Sequence, residues 1–229
     1  MATAAKTRSV KFTYEDYLLF PEDGRRREII DGELYNADIA LGRSPSLKHQ
    51  RTSANLLETL NAFVRPDGVG MIVQAPFDVV FPNENVVQPD LSFVSTARVS
   101  IIAKKCIQGP PDLIVEILAE ETWRLDETIK RKLYERHGVP EYWIVDPELE
   151  TVKVFRMTDQ GYVRAAELSR ESGDALSTPL LPGLAVPLAD IFEQPPPFQL
   201  DFAGLPSYIV RHERDAHDPP RQRSRTHAG

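Results

Sequence analysis

The fold is decided by two stretches of the chain, Val87-Gln88-Pro89-Asp90-Leu91 and Pro111-Asp112-Leu113-Ile114-Val115-Glu116-Ile117-Leu118. Each predicts a buried strand, because short apolar runs bounded by proline or charged segments are typical of core strands. Side chains alternate between the two faces of a strand, so Glu116 faces the same layer as Ile114. An unpaired carboxylate is costly in an apolar layer. A lysine, bound water, or a divalent metal shared with Asp90 would satisfy it.

Composition limits the class of protein. The 229 residues, 41% of them hydrophobic, suffice for one substantial core or for one domain with appendages. No stretch approaches the roughly 18 uninterrupted apolar residues that span a bilayer. Residues 1–11 lack the apolar segment of a signal peptide, so we expect a cytoplasmic protein without membrane contact. The single cysteine, Cys106, excludes an intrachain disulfide and a cysteine-rich zinc site.

The net charge of −7 argues against a basic protein that coats nucleic acid. It leaves a nuclease open, because an acidic metal site lowers the net charge while a basic groove can remain local. Phosphate-binding loops of the Gly-x-Gly-x-x-Gly type and the Gly-x-Ser-x-Gly motif of serine hydrolases are absent from the sequence.

Helix and strand signals alternate along the chain. Thr13 can cap a short helix, and Asp31-Gly32 between apolar residues predicts a hairpin within residues 27–39. Ser46 opens an amphipathic helix that ends at Pro66-Asp67-Gly68. Further elements are predicted as strands at 71–81, 87–95, 111–118, 142–145, 151–155 and 162–168, a helix at 125–137, and a terminal helical turn within 180–192.

These elements predict an α/β (α+β) fold with a mixed sheet flanked by helices. We expect the strands 87–95 and 111–118 to be adjacent in one sheet, with the helix 125–137 packed on it. An exposed strand at 152–155 or 162–168 could pair with a second copy of the chain, giving a homodimer. The composition changes from Glu193 onward, with Pro195-Pro196-Pro197 and then residues 211–229, which are rich in arginine, histidine and proline and have almost no apolar residues. We therefore interpret residues 193–229 as a proline-rich segment and a disordered basic tail beside a domain of residues 1–192.

A stripe of functional side chains is predicted on the helix after Glu116. Asp126, Lys130 and Tyr134 recur at four-residue spacing and therefore share one face. They could form a surface salt bridge with an aromatic neighbour. Alternatively, Lys130 lies beside Asp90 and Glu116 and balances their charge. In either case we expect an exposed or groove-lining lysine whose removal leaves the melting temperature nearly unchanged.

Five motifs in the same order resemble the Uma2 family of restriction-endonuclease-like proteins. They are the Glu-x-Ile-Asp-Gly-Glu core of residues 26–34, the stretch Val87-Gln88-Pro89-Asp90, residues 111–118, the Asp126, Lys130 and Tyr134 spacing, and residues 138–147. The resemblance covers about residues 12–192. It implies membership of the PD-(D/E)XK nuclease superfamily, with a restriction-endonuclease-like mixed sheet flanked by helices.

The resemblance also implies a function. It predicts a bacterial, metal-dependent endonuclease that hydrolyses phosphodiester bonds in DNA. Asp90 and Glu116 would bind Mg²⁺ or Mn²⁺, and the three catalytic residues would be Asp90, Glu116 and Lys130. The superfamily's usual lysine two residues after the glutamate is replaced by Leu118, and in the Uma2 pattern Lys130 of the following helix takes its place.

Three further residues have alternative interpretations. Glu33 is the candidate for an additional acid of the metal site, although Glu33 and Glu28 could equally be solvent-facing strand residues. His49 could contact a substrate phosphate, or be a structural histidine. Asp112 follows Pro110-Pro111 and favours a role in the turn.

Two other functions remain open. The chain could retain the nuclease fold with decayed catalysis and act as a nucleic-acid-binding or interaction module, which fold analogy alone does not exclude. The negative net charge and the acidic segment Glu120-Glu121 favour this alternative. A carboxylate-metal hydrolase of small phosphoesters is the third possibility.

Overall fold

The computed structural model describes residues 11–21, 23, 25–36, 45–120 and 122–194. Residues 195–229, which include the predicted tail, lie outside the described residues. The helices are α1 (Tyr14–Leu18), α2 (Leu47–Asp67), α3, which has a π-helical first part (Leu125–Lys130) and an α-helical second part (Arg131–Arg136), and α4 (Leu188–Ile191), with 3₁₀ turns at Pro82–Glu84 and Thr96–Ile101. The strands are β1 (Arg27–Ile30), β2 (Glu33–Asn36), β3 (Gly70–Gln74), β4 (Asp78–Phe81), β5 (Asn85–Val87), β6 (Leu91–Ser95), β7 (Cys106–Gln108), β8 (Leu113–Ile117), β9 (Glu141–Asp146), β10 (Thr151–Thr158), β11 (Gly161–Ser169), β12 (Ala175–Leu176) and β13 (Val186–Pro187).

The strands form two large mixed sheets, which confirms the predicted fold class. The six-stranded sheet has the order β11-β10-β9-β8-β6-β3, the five-stranded sheet has the order β2-β1-β5-β4-β7, and β12 pairs with β13. β6 and β8 are antiparallel neighbours, whereas β8 and β9 are parallel. The predicted adjacency of the segments around Asp90 and Glu116 is therefore confirmed for β6 and β8.

Two strand predictions were too long. Residues 71–81 form β3 and β4, and residues 87–95 are divided between β5 and β6, so each segment passes from one sheet to the other. Proline has no amide hydrogen to donate to a sheet ladder, and Pro76 and Pro89 lie at the two breaks. Asp90 consequently lies where the chain crosses between the sheets.

Local sequence signals place the other elements as expected. Thr13 and Asp16 form a reciprocal capping box at the start of α1. The Ser46 Oγ accepts a hydrogen bond from the backbone N–H of His49 at the start of α2. Asp31 and Gly32 have φ values of 53° and 79°, the left-handed conformations that a tight β1–β2 hairpin turn requires.

Apolar side chains pack on both faces of the six-stranded sheet. Leu113, Val115 and Ile117 of β8 belong to a core cluster that includes residues of α2 and α4. Ile114, on the opposite face of β8, belongs to a second cluster with residues of α3 and the five-stranded sheet. The predicted alternation along β8 is confirmed, and it directs Glu116 toward α3.

One of the two dimerisation strands proposed from sequence is unsuitable. β10 has β9 on one side and β11 on the other, so residues 152–155 have no free edge. β11 lies at the edge of the six-stranded sheet among the described residues, and pairing through residues 162–168 stays a prediction. In the part of the chain that the structure describes, no helix is long and apolar enough to cross a membrane.

Candidate active site

Lys130 lies at the centre of a buried cluster of carboxylates. Its Nζ is 3.0 Å from Glu28 Oε1, 3.1 Å from Glu116 Oε1 and 3.3 Å from Asp126 Oδ1. The three acids come from β1, β8 and the helix of Lys130 itself, so both large sheets and α3 contribute. Only 5% of Lys130 is exposed, so a buried lysine stands where an exposed or groove-lining one was expected. Periodicity placed it at the border of the helix face, whereas the carboxylates draw its ammonium inward.

Tyrosine side chains fix this cluster from the side of the core. The Tyr134 hydroxyl donates a hydrogen bond of 2.6 Å to Glu116 Oε1, the same atom that Lys130 contacts. The Tyr142 hydroxyl donates to the backbone carbonyl of Asp126 over 3.1 Å. Asp126 lies in the π-helical part of α3, a geometry that occurs frequently at functional sites. Asp126, Lys130 and Tyr134 therefore face the carboxylates together, as the four-residue spacing predicted.

Asp90 lies beside this cluster at the crossing between the sheets. Its Oδ2 accepts a 2.7 Å hydrogen bond from the backbone N–H of Ile117, which ties it to the strand of Glu116. Its Oδ1 is 3.5 Å from His49 Nε2 and 3.9 Å from Arg26 Nη1. Burial alone would raise the pKa of Asp90, but the hydrogen bond and charge of His49, with the charge of Arg26, hold it below its usual value. Asp90 is therefore ionised at neutral pH.

Glu28 is a member of the site that the sequence interpretation left undecided. The residue is 1% exposed, and its Oε1 accepts a 2.8 Å hydrogen bond from the backbone N–H of Gln88. Its buried Oε2 has no hydrogen-bond partner among the described residues. The signal was present in the sequence, because Glu28 precedes Ile29-Ile30 in an apolar strand just as Glu116 lies in one.

The site holds more negative than positive charge. Burial raises the pKa of Glu116 well above its usual value, although the Lys130 ammonium opposes the shift. Burial likewise raises the pKa of Asp126 to about 6, again opposed by Lys130. The Lys130 pKa is itself raised, because the attraction of the carboxylates outweighs the cost of burying its charge. Glu116 and Asp126 therefore take up protons more readily than isolated carboxyl groups do.

The chemistry of the cluster suits a hard divalent cation. Such ions bind carboxylate oxygens, and Glu28 Oε2 is a buried carboxylate oxygen without a partner. Over residues 11–21, 23, 25–36, 45–120 and 122–194, however, there is no group of three or more His, Cys, Asp or Glu side chains already positioned to hold a metal ion. Lys130 and Tyr134 both contact Glu116 Oε1. The acids are suitable in kind, but they are not preassembled as a ligand set.

The remaining sequence-predicted residues are distributed differently. His49 is buried at the site through Asp90, and its Nδ1 has no hydrogen-bond partner among the described residues. Glu33 is exposed on β2, where its Oε2 accepts a hydrogen bond from the Tyr35 hydroxyl. The structure therefore does not bring Glu33 to the cluster. Asp112 accepts hydrogen bonds from the backbone N–H of Ser95 and from Arg98, which agrees with its predicted structural role.

Both the sequence and the fold of this chain have known relatives. Residues 14–189 match the model of the family described as "Uma2: Putative restriction endonuclease". The match spans most of the chain, and the protein belongs to the Uma2 family. A similar solved structure is the crystal structure of a putative nuclease belonging to DUF820 from Anabaena variabilis ATCC 29413, which is 21% identical. The similarity covers 79% of this chain and 97% of that chain with a TM-score of 0.65, and it shows a shared fold. None of the curated proteins matches the sequence.

Proposed function

We propose that the protein is a metal-dependent endonuclease of the PD-(D/E)XK type that hydrolyses phosphodiester bonds in DNA in the bacterial cytoplasm. The observation that carries the proposal is the contact of one buried lysine, Lys130, with Glu28, Glu116 and Asp126 beside an ionised Asp90. Buried charged groups are costly unless they are paired, and clusters with strongly shifted pKa values are concentrated at functional sites.

Asp90 and Glu116 would hold Mg²⁺ or Mn²⁺, with Glu28, whose buried Oε2 has no hydrogen-bond partner among the described residues, as an additional acid. When bound, the ion supplies a Lewis acid that polarises the phosphodiester. Asp90 needs no deprotonation for this role, because its pKa is already low. Burial raises the pKa of Glu116 and so disfavours its ionised form, which is the form that binds a cation, so ion binding should strengthen as the pH rises.

Lys130 supplies the positive charge of the chain itself. Its raised pKa keeps the ammonium protonated throughout the neutral range. A fixed ammonium stabilises the additional negative charge that a phosphodiester acquires in the transition state of hydrolysis. Tyr134 holds Glu116 in place, and the backbone N–H of Ile117 orients Asp90. The hydrogen bonds thus preorganise both carboxylates.

The proposal is tested by titrating the protein with Mn²⁺ in a calorimeter and by measuring plasmid cleavage in Mg²⁺. We expect Asp90→Ala and Glu116→Ala each to weaken Mn²⁺ binding severely, because either change removes an anionic ligand. Each substitution should also abolish cleavage. Glu33→Ala, at an exposed acid outside the cluster, is the matched control and should behave as the parent protein. Unchanged Mn²⁺ affinity in both site variants would place the metal elsewhere.

One observation favours the second candidate, a nuclease-fold protein that binds nucleic acid or another partner without cutting. The described residues contain no preassembled set of metal ligands, and Lys130 and Tyr134 both contact one oxygen of Glu116. This candidate predicts DNA binding in EDTA together with no cleavage of DNA or RNA at any Mg²⁺ or Mn²⁺ concentration.

A further inference from the structure

An exposed tryptophan lies next to the candidate active site. Trp123 is 41% exposed, at the start of the helix that carries Asp126 and Lys130. Its backbone N–H donates to the carbonyl of Ala119, in the turn that follows β8. The preceding residue, Thr122, donates its hydroxyl to Asp126 Oδ2 over 3.2 Å. Along the chain, Trp123 thus directly follows a residue that contacts the buried carboxylate cluster.

A cationic side chain lies over the Trp123 ring. The guanidinium carbon of Arg124 is 5.1 Å from the ring centroid, a cation–π arrangement. Arg124 is exposed, and no carboxylate within the described part of the chain forms an ion pair with it. By contrast, Arg27 pairs with Asp23. Trp123 and Arg124 therefore present an aromatic face and a positive charge, and among the described residues this charge has no acidic partner.

Neither side chain is required by the core. The other tryptophan, Trp143, is fully buried, and its Nε1 donates to Glu141. A large aromatic ring left in solvent beside a site is typical of surfaces that bind single-stranded nucleic acid, because every base has a face on which such a ring can stack. In a duplex, those faces are covered by the neighbouring bases. Base stacking does not require attraction between the protein and the phosphate backbone. It is therefore compatible with a chain of net charge −7.

We propose that Trp123 stacks on an unpaired nucleobase and that Arg124 contacts the phosphate beside it, so that the chain engages a single-stranded segment of DNA next to the carboxylate cluster. This inference rests on the proposed nuclease function and narrows its substrate class to DNA that is single-stranded or locally unpaired. It gives Trp123 and Arg124 a role in substrate binding, separate from the chemistry at Asp90 and Glu116.

The test is a fluorescence titration in EDTA, so that no cleavage occurs. A 12-nucleotide oligothymidylate should quench the emission of Trp123, whereas the buried Trp143 provides a constant background. A 12-base-pair duplex and a 12-unit abasic deoxyribose-phosphate strand should bind about tenfold more weakly or not at all. By anisotropy with a labelled oligothymidylate, Trp123→Ala should lower the affinity about tenfold, the scale of one lost base stack.

Two further variants complete the design. Trp123→Tyr should restore most of the affinity because it retains an aromatic face, and Leu149→Ala, at another exposed apolar residue, should bind as the parent does. Equal affinity of the parent and Trp123→Ala for the oligothymidylate would overturn the inference, as would equal quenching by the duplex or no binding at all. These results are distinguishable from failure of the proposed function. Cleavage in Mg²⁺ without dependence of binding on Trp123 refutes only the inference, whereas Trp123-dependent binding without cleavage refutes only the nuclease.

Discussion

Replacing Lys130 by methionine should destabilise the protein and inactivate it. Methionine keeps most of the side-chain volume but removes the ammonium that lies within 3.3 Å of Glu28, Glu116 and Asp126. Removing one partner of a buried ion pair costs about 3–5 kcal/mol, because the other charge remains buried and uncompensated. For a domain of this size, about 1 kcal/mol corresponds to roughly 2–4 °C, so the melting temperature should fall by about 6–20 °C at pH 8.

The loss should depend on pH in a defined direction. Lys130 lowers the pKa values of Glu116 and Asp126, so the variant raises both. An acid whose pKa is higher in the folded than in the unfolded state contributes stability below its unfolded pKa. That stability is lost as the pH rises through the folded pKa. The difference in melting temperature between the variant and the parent should therefore be smaller at pH 5 than at pH 8.

Thermal denaturation in EDTA at pH 5 and pH 8 measures the loss of stability of Lys130→Met. Plasmid cleavage in Mg²⁺ measures its loss of activity. Cleavage at 20 °C, where the variant remains folded, should fall about a hundredfold or more, the scale of one preorganised charge removed from a transition state. Lys132→Met is the matched control, because Lys132 is exposed on the same helix. A Lys130→Met variant that melts within 2 °C of the parent at pH 8 (a limit set at about 1 kcal/mol) would refute the buried ion-pair cluster.

Two further substitutions test the acids around Lys130. The raised pKa of Asp126, about 6, implies that the metal-free parent loses about 2 kcal/mol of stability between pH 4 and pH 7 through this group. Chemical denaturation should show Asp126→Asn gaining that amount relative to the parent as the pH rises, and parallel curves would contradict the assignment. Glu28→Gln removes the charge of a carboxylate whose Oε2 has no hydrogen-bond partner among the described residues. Calorimetry should therefore show weaker Mn²⁺ binding, and the plasmid assay slower cleavage. Glu33→Gln should leave both unchanged, and an equal effect of the two substitutions would contradict the placement of Glu28 at the site.

Much of the site could be predicted because strand alternation is a local property. Alternation along β8 predicted that Glu116 shares the face of Ile114 and not that of Val115. In the structure, Ile114 and Val115 pack in different clusters, as this alternation requires. The four-residue spacing of Asp126 and Lys130 predicted for the same reason that the two side chains share one helix face, and they are in contact. These patterns depend on the geometry of a single element and not on the rest of the fold.

The division of strands between two sheets could not be predicted in this way. Residues 71–81 and 87–95 each look like one apolar strand, and only the pairing partners show that the chain changes sheets near Pro76 and Pro89. The same crossing brings Glu28 of β1 against Lys130, while Glu33, five residues later, remains exposed. The choice between these two acids depends on contacts between distant segments, so the hairpin motif alone left it undecided.

The electrostatics of the cluster connect its stability to its proposed chemistry. The ionised Asp90 can attract a cation without first releasing a proton, whereas Glu116 has a pKa raised by burial and is contacted by Lys130 and Tyr134. Asp90 and Glu116 would hold a divalent cation, which would supply the positive counter-charge that Lys130 supplies to Glu116 in the metal-free protein. The ammonium that stabilises the metal-free protein would thereby become available to a negatively charged substrate. One arrangement, three buried carboxylates around a single ammonium, thus underlies both the predicted loss of stability without Lys130 and the proposed metal site.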